Sequence, residues 1–232
     1  MRSPSSNSRT LILLSCLCFL RRPCLCRPMQ RGQAVTPALS LSRIALWRGG
    51  RLVLRDFSLD VGAGEMIWVR GANGSGKSTL FRALSGLLPV VSGTMTIEGA
   101  IALCDDNLAL DLDQSLEDAI KFWTRLDGIA PARLEAALET LDLIKLSDLP
   151  VRLLSTGQKK RGALARLLAS QAPIWLLDEP YNGLDQANVA RLDTALSKHV
   201  DAGGIALVAS HIAPTVNVSR SILLDRAREE IA

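Results

Sequence analysis

The stretch Gly71–Ser78, which reads GANGSGKS, constrains this chain more than any other part of the sequence. It fits the pattern G-x-x-x-x-G-K-[ST], in which successive backbone N–H groups curl around phosphate oxygens. Gly74 and Gly76 permit the backbone angles of such a curl, and the helix that follows directs its positive N-terminus at the same anion. Lys77 can reach the terminal phosphates, and the Ser78 hydroxyl can ligate Mg²⁺.

The flanking segments place this loop between a strand and a helix. Met66–Val69 is a short apolar run, typical of a buried strand, and after the loop apolar residues recur at helical spacing. A flexible surface turn would have neither flank. The sequence therefore predicts a nucleoside-triphosphate site. The predicted contacts in the loop are Gly71, Ala72, Asn73, Gly74, Ser75, Gly76, Lys77, Ser78 and Thr79.

The first 38 residues differ in composition from the rest of the chain. All 23 acidic residues follow them, whereas six of the 27 basic residues lie among them, so the body has 21 basic and 23 acidic residues and no basic excess to favour nucleic acid. The apolar run Leu11–Leu20 is too short to span a bilayer. We expect residues 1–38 to form a disordered or mis-started tail, with Met29 as a plausible true start. A membrane-associating tail and a metal site are the alternatives.

The cysteines, like the excess of basic residues, lie mostly in the tail. Four of the five cysteines lie in the tail, and Cys104 alone belongs to the body. A disulfide scaffold needs several well-spaced cysteines in an oxidising compartment. The body therefore indicates a reducing, cytoplasmic setting.

The body begins with an alternating apolar and polar pattern. Leu39–Asp60 alternates around Gly49-Gly50, which predicts a β-hairpin or meander. Trp47 and Arg48 lie at its tip, where the indole could stack on an adenine ring and the guanidinium could form a cation–π contact with it. A partly exposed edge-strand position is an equally good interpretation of both residues.

A helical pattern then runs from about residue 113 to 170 without an intervening strand, which predicts a helical subdomain inserted in an α/β core. Its first helix is expected to turn one face inward, carrying Ala119, Phe122, Trp123 and Leu126. Ser155 is suited to cap the last of these helices. The Ser155 hydroxyl and the Gly157 N–H would then form a second anion-binding helix start.

Two buried strands follow, and each ends in polar residues. Ile174–Leu177 leads into Asp178 and Glu179, and Ile205–Ala209 leads towards His211. Ligands of open α/β sheets bind at this carboxyl edge. Asp178 is predicted to hold Mg²⁺, Glu179 to orient or deprotonate the attacking water, and His211 to contact the γ-phosphate. Helix caps and a structural histidine are the alternative interpretations.

Three further motifs follow the glycine-rich loop in order: LSTGQ at Leu154–Gln158, IWLLDEP at Ile174–Pro180 and NGLD at Asn182–Asp185. These three segments resemble the signature, the Walker B motif and the D-loop of ABC transporter nucleotide-binding domains, in that order. Gly71–Thr79 resembles their Walker A motif, and His211 resembles their switch histidine. The resemblance covers Leu39–Asp225. It implies an α/β P-loop NTPase fold over residues 39–232, with an N-terminal antiparallel β part, a parallel-sheet core and a helical subdomain.

The resemblance also implies partners and chemistry. Members of this family form head-to-tail homodimers with two ATP sites, in which one subunit's Walker A faces the other's signature. Ser155 and Gly157 would thus act across the interface, while Lys77, Glu179 and His211 would serve catalysis with ATP and Mg²⁺. Such subunits drive integral membrane transporter subunits.

Within the family, the segments RGANGSGKSTL and QAPIWLLDEPYNGLD and the LSxGQKKR signature resemble the haem-exporter ATPases of cytochrome c maturation. That resemblance implies a peripheral ATPase at the cytoplasmic face of the bacterial inner membrane, which exports haem or releases it from its chaperone. An ABC ATPase for another substrate, a soluble non-transport ABC ATPase and a degenerate nucleotide-binding cassette are the alternatives.

Two positions depart from the family pattern. Thr156 replaces the usual small residue of the signature, and the Q-loop glutamine expected after Ile101–Leu103 is absent. Cys104, Asp105 and Asp106 stand there instead. Whether either aspartate takes over the role of that glutamine is left open by the sequence.

Overall fold

The computed structural model describes residues 36–225, so the predicted tail up to residue 35 lies outside the described part. The strands are β1 (Ala38–Arg48), β2 (Arg51–Val61), β3 (Met66–Arg70), β4 (Ser92–Glu98), β5 (Ile101–Cys104), β6 (Ile174–Asp178), β7 (Ile205–Ala209) and β8 (Arg220–Leu223). The α-helices are α1 (Lys77–Leu84), α2 (Leu116–Leu126), α3 (Pro131–Thr140), α4 (Thr156–Ala169) and α5 (Gln186–Asp201). Short 3₁₀ turns at Ile144–Leu146 and Val151–Leu153 join α3 to α4.

The N-terminal part forms an antiparallel sheet of strand order β2-β1-β4. The predicted hairpin is confirmed, because β1 and β2 pair around Gly49-Gly50, which both have the positive φ that this tight turn requires. Leu39 and Leu41 of β1 are buried while the residues between and beside them are not, as expected for a strand with one face on the core.

The core is a parallel sheet of strand order β5-β6-β7-β3-β8. Every residue of β6 and β7 is buried, because helices and the antiparallel sheet cover the two faces. Alternate residues serve two separate apolar clusters: Leu177 and Val208 belong to one, and Leu176 and Leu207 to the other. The predicted α/β fold with a parallel core is confirmed, and the carboxyl ends of β3, β6 and β7 meet at one edge.

Helices α2, α3 and α4 lie between β5 and β6 in the chain and pack on one another, as predicted for a helical region at this position. Pro131 occupies the first turn of α3, where its missing N–H costs nothing. The Ser115 hydroxyl accepts a hydrogen bond from the Asp118 N–H at 3.1 Å and caps α2.

The predicted inward face of α2 is wrong in part. Ala119 is buried, but Phe122 is 54% exposed and Leu126 is 66% exposed. The buried stripe instead runs through Leu116, Ala119 and Ile120. The helix turns this way because Gly162 of α4, which lacks a side chain, admits the Leu116 side chain closely.

Candidate functional site

The glycine-rich loop joins β3 to α1 at the carboxyl edge of the parallel sheet. Gly71, Gly74 and Gly76 have φ angles of 152°, 78° and 109°, a region that residues with a side chain rarely adopt. A Cβ on Gly76 would also lie 2.8 Å from Cγ1 of Val53. The Ser75 N–H donates to the Ala72 carbonyl at 3.1 Å and closes the turn. The loop therefore has the positive-φ glycine conformations that the sequence predicted, and its binding of phosphate stays a prediction.

Lys77 is 6% exposed and folds back across this loop. Its Nζ donates to the Gly71 carbonyl at 2.8 Å, and it lies 3.7 Å from Oε1 of Glu179 and 3.4 Å from Nε2 of His211. The ammonium therefore stands at the mouth of the loop with a carboxylate partner, where an arriving phosphate would meet it.

Glu179 and His211 converge on the loop from β6 and β7. Nε2 of His211 lies 3.2 Å from Oε1 of Glu179 and 2.8 Å from Oδ1 of Asn73, and the His211 N–H donates to Oε2 of Glu179 at 3.4 Å. The prediction that the glycine-rich loop lies beside the carboxyl ends of β6 and β7 is confirmed. This arrangement brings a candidate base, a candidate phosphate contact and the Lys77 cation within one hydrogen-bonded group.

Glu179 has a φ of 46°, a left-handed conformation that is uncommon for a residue with a side chain. Its N–H donates to the Ala209 carbonyl at 2.8 Å, which extends the β6–β7 pairing by one residue. A non-glycine residue is held in this conformation only where the surroundings enforce it, and such residues cluster at functional sites.

Asp178, the last residue of β6, is 7% exposed. Burial raises the pKa of its carboxyl group, a hydrogen bond from Ser78 lowers it, and the Glu179 carboxylate raises it again. Oδ1 of Asp178 is buried without a hydrogen-bond partner among the described residues. An unsatisfied carboxylate oxygen beside a serine hydroxyl fits a hard cation such as Mg²⁺. Residues 36–225 contain no cluster of three or more histidine, cysteine, aspartate or glutamate residues that could hold a metal ion.

The hairpin tip reaches the start of α1. Nη1 of Arg48 donates to Oγ1 of Thr79 at 3.4 Å, which places the guanidinium beside the loop. The neighbouring Trp47 is 51% exposed. The contact of either residue with a nucleotide base stays a prediction, and an exposed edge aromatic fits Trp47 equally well.

Ser155 and Gly157 stand at the start of α4. Ser155 and Gln158 form a capping box: the Ser155 hydroxyl accepts from the Gln158 N–H at 3.2 Å, and Oε1 of Gln158 accepts from the Ser155 N–H at 2.8 Å. Within residues 36–225, no hydrogen bond joins either Ser155 or Gly157 to the glycine-rich loop. A Cβ on Gly157 would lie 2.7 Å from the Gly183 carbonyl oxygen, so the helix start packs directly on the segment after Glu179.

Comparison with known proteins decides the family. Residues 54–182 match the model of the ABC transporter family. The chain is 46% identical over 179 residues to the cytochrome c biogenesis ATP-binding export protein CcmA of Sphingopyxis alaskensis, covering 77% of this chain and 92% of that protein. It is 52% identical over 168 residues to the CcmA of Novosphingobium aromaticivorans, covering 72% and 85%. This chain belongs to the ABC transporter ATP-binding family.

Solved structures agree on the fold. A structure described as the ATP-binding subunit of an ABC transporter superposes with a TM-score of 0.73 at 22% identity, covering 81% of this chain and 85% of that one. The ADP- and phosphate-bound dimer of the ATP-binding cassette MJ0796 superposes equally well at 22% identity, covering 81% and 94%. Among residues 36–225, no helix has the length and apolar character needed to cross a bilayer.

The segment that lacks the family glutamine holds two aspartates with different surroundings. Asp105 lies 3.7 Å from Nη2 of Arg82, and its Oδ1 accepts from the Asn107 N–H at 3.0 Å. Oδ1 of Asp106 lies 3.5 Å from Nζ of Lys160. Asp106 is therefore the aspartate that faces the helix carrying the signature of this ABC protein.

Sequence reasoning did not single out several side chains that hold the site together. Nε1 of Trp68, in β3, donates to the Ser210 carbonyl at 3.0 Å and fixes the backbone beside His211. Asp193 of α5 binds Tyr181 and Thr215, and Lys160 reaches the Asp178 carbonyl. The sequence carries no clear signal for Asp193 and Lys160, because a charged residue in a helical pattern is ordinarily solvated.

Proposed function

We propose that this chain is the ATP-hydrolysing subunit of an ABC transporter that acts in cytochrome c maturation, by haem export or by release of haem from its chaperone. The observation that carries the proposal is the convergence of Lys77, Glu179 and His211 on the glycine-rich loop. The relatives named for cytochrome c biogenesis supply the physiological context.

The residues divide the chemistry between them. The loop N–H groups and Lys77 bind the β- and γ-phosphates of ATP. Asp178 and Ser78 would hold Mg²⁺, which would supply positive charge to stabilise the transferred phosphoryl group. Glu179 orients the attacking water and accepts its proton. His211, already in contact with Glu179, donates a hydrogen bond to the γ-phosphate and aligns that carboxylate. Arg48 and Trp47 approach the base.

Ser155 and Gly157 complete the ATP site of a second copy of the chain in a head-to-tail homodimer. Two observations support their use across an interface: neither residue is hydrogen-bonded to its own loop among the described residues, and both lie at the N-terminus of α4, whose dipole favours an anion. ATP would then join the two subunits, and its hydrolysis would release them.

The dimer works as a peripheral component at the cytoplasmic face of the inner membrane, bound to integral membrane transporter subunits. The relatives are named export proteins, which supports a transport role for this chain. No nucleic acid is required for this activity.

Lys77→Ala tests the proposal in cells that carry only this variant. The change removes the phosphate-binding charge, so these cells should lack haem-stained c-type cytochromes while b-type haem proteins remain at normal levels. Lys145→Ala, at an exposed lysine of the 3₁₀ turn, is the matched control and should leave c-type cytochromes unchanged. Normal c-type cytochromes with Lys77→Ala would refute the haem role. Loss of ATP hydrolysis by the purified variant would still support the ATPase assignment.

A further inference from the structure

Lys160 is a cation in the interior of the protein. The residue is 6% exposed, and its Nζ donates to the backbone carbonyl of Asp178 at 3.3 Å. Lysine is almost never fully buried unless its charge is paired, because an isolated ammonium loses its hydration. The hydrogen bond to Asp178 places this charge against the end of β6, where the predicted metal ligand lies.

The carboxylate that pairs with Lys160 is exposed. Oδ1 of Asp106 lies 3.5 Å from Nζ of Lys160, while the Asp106 side chain is 89% exposed. Asp106 belongs to the irregular segment that joins β5 to α2. Asp105 does not share this role, because its carboxylate contacts Arg82 and the Asn107 N–H. The buried ammonium of Lys160 is thus paired with a carboxylate on the exposed segment between β5 and α2.

Both charges lie beside Asp178, because Nζ of Lys160 is 3.3 Å from the Asp178 carbonyl oxygen and 3.5 Å from Oδ1 of Asp106. Their effects on a cation at Asp178 have opposite signs. Asp106 favours a bound Mg²⁺, whereas an unpaired Lys160 ammonium repels it. While the pair is intact the two effects largely cancel.

We propose that Lys160 is a positioning residue whose pairing with Asp106 sets the Mg²⁺ affinity of the Asp178 site. Loss of the Asp106 charge would leave the Lys160 ammonium unpaired beside Asp178 and weaken Mg²⁺ binding. The inference rests on the proposed role of Asp178 as a magnesium ligand.

Mg²⁺ titrations of the purified protein with a fluorescent, non-hydrolysable ATP analogue test this inference. Asp106→Asn should weaken Mg²⁺ binding roughly three- to tenfold, because Lys160 loses its counter-charge. Lys160→Met keeps a similar length without charge and should not weaken it. The double variant should recover the affinity of the unsubstituted protein to within about twofold, which a merely structural role for Asp106 would not produce.

Asp113→Asn is the matched control, since Asp113 is an exposed carboxylate whose ion pair with Arg152, at 2.8 Å, involves an exposed partner. It should leave the Mg²⁺ titration unchanged. Equal titrations for Asp106→Asn and Asp113→Asn, or a double variant as weak as Asp106→Asn alone, would overturn the inference and leave the proposed function standing. Failure of the unsubstituted protein to bind the analogue with Mg²⁺ would overturn both. Asp106 is at the surface, so its variant retains the fold.

Discussion

The Tyr181 hydroxyl donates a 2.7 Å hydrogen bond to Oδ1 of Asp193, and the other oxygen of this carboxylate accepts from the Thr215 N–H and hydroxyl. Asp193 is 4% exposed. The carboxylate therefore ties the segment after Glu179 and the segment after His211 to the same turn of α5. Burial, the hydrogen bond and the Asp193 charge all raise the pKa of Tyr181, so its hydroxyl remains a donor across the physiological range.

Tyr181→Phe tests this connection. The change leaves a buried carboxylate without one of its donors, so the free energy of unfolding should fall by about 1.5–3 kcal/mol. Chemical denaturation with urea measures the loss. Thr194→Ala, which removes an exposed hydroxyl bonded within α5, is the control and should change the stability by less than about 0.5 kcal/mol. Equal stabilities for the two variants would contradict the role of the Tyr181 hydroxyl.

Glu179→Gln should separate nucleotide binding from hydrolysis. The amide keeps the shape of the side chain but cannot accept a proton, so ATP turnover should fall on the order of 10²–10⁴-fold while ATP binding persists. A phosphate-release assay and a nucleotide titration measure the two properties. Glu135→Gln, at an exposed position of α3, should leave both unchanged. Turnover by Glu179→Gln close to that of the unsubstituted protein would remove Glu179 from this role.

Cys104 should be inert in the folded protein. It is 3% exposed, and burial raises the pKa of its thiol to about 11, with Lys160 and Arg166 opposing the shift. The thiol is therefore protonated at neutral pH and lacks the nucleophilic thiolate. In a variant with serine at the four tail cysteines, a thiol reagent should label Cys104 only after denaturant is added. Rapid labelling of the native protein at pH 7.5 would contradict this expectation.

His199 should make stability depend on pH. Its ring stacks on Trp175 with centroids 3.8 Å apart, and burial lowers its pKa despite hydrogen bonds to backbone carbonyls. Well above pH 6.5 the imidazole is neutral in both the folded and the unfolded protein. As the pH falls through 6.5, the unfolded chain binds the proton first, so the free energy of unfolding declines until the pH passes the folded pKa.

His199→Phe retains an aromatic ring without a titrating group. Unfolding free energies at pH 7.5, 6.5 and 5.5 should therefore decline less in this variant than in the unsubstituted protein. The comparison is made on the change with pH, because the loss of the 3.2 Å contact with the Ile205 carbonyl lowers the stability of the variant at every pH. If the free energy of unfolding changed equally with pH in the two proteins, His199 would not be the source of the pH dependence.

The sequence predicted the elements whose patterns are local. The apolar runs of β6 and β7 end at Asp178 and Ala209, so the sheet edge and its polar residues could be inferred before the structure. The conformation of the glycine-rich loop could also be inferred, because its glycine pattern is typical of one backbone conformation. Parallel pairing of the strands then places their carboxyl ends at the same edge of the sheet.

The sequence could not predict features that depend on which helices touch. Two overlapping apolar stripes compete on α2, and close packing at Gly162 selects the one that includes Leu116. The burial of Lys160 and Asp193 has the same origin, since a charged residue in a helical pattern is ordinarily solvated. The pairing of Asp106 with Lys160 joins positions 54 residues apart in sequence and follows no spacing rule.

The close approach of Gly157 to the Gly183 carbonyl has a consequence for experiments on the signature motif. Any side chain at position 157 would push against the backbone that follows Glu179, because the added Cβ would lie 2.7 Å from that oxygen. A defect caused by Gly157→Ala would therefore combine an altered signature with a shifted base in the same polypeptide. Ser155→Ala leaves this contact untouched. In the proposed head-to-tail dimer, a mixed dimer with Ser155→Ala in one protomer and Glu179→Gln in the other would carry both changes in one ATP site and keep about half of the turnover, whereas use of Ser155 within its own protomer would impair both sites.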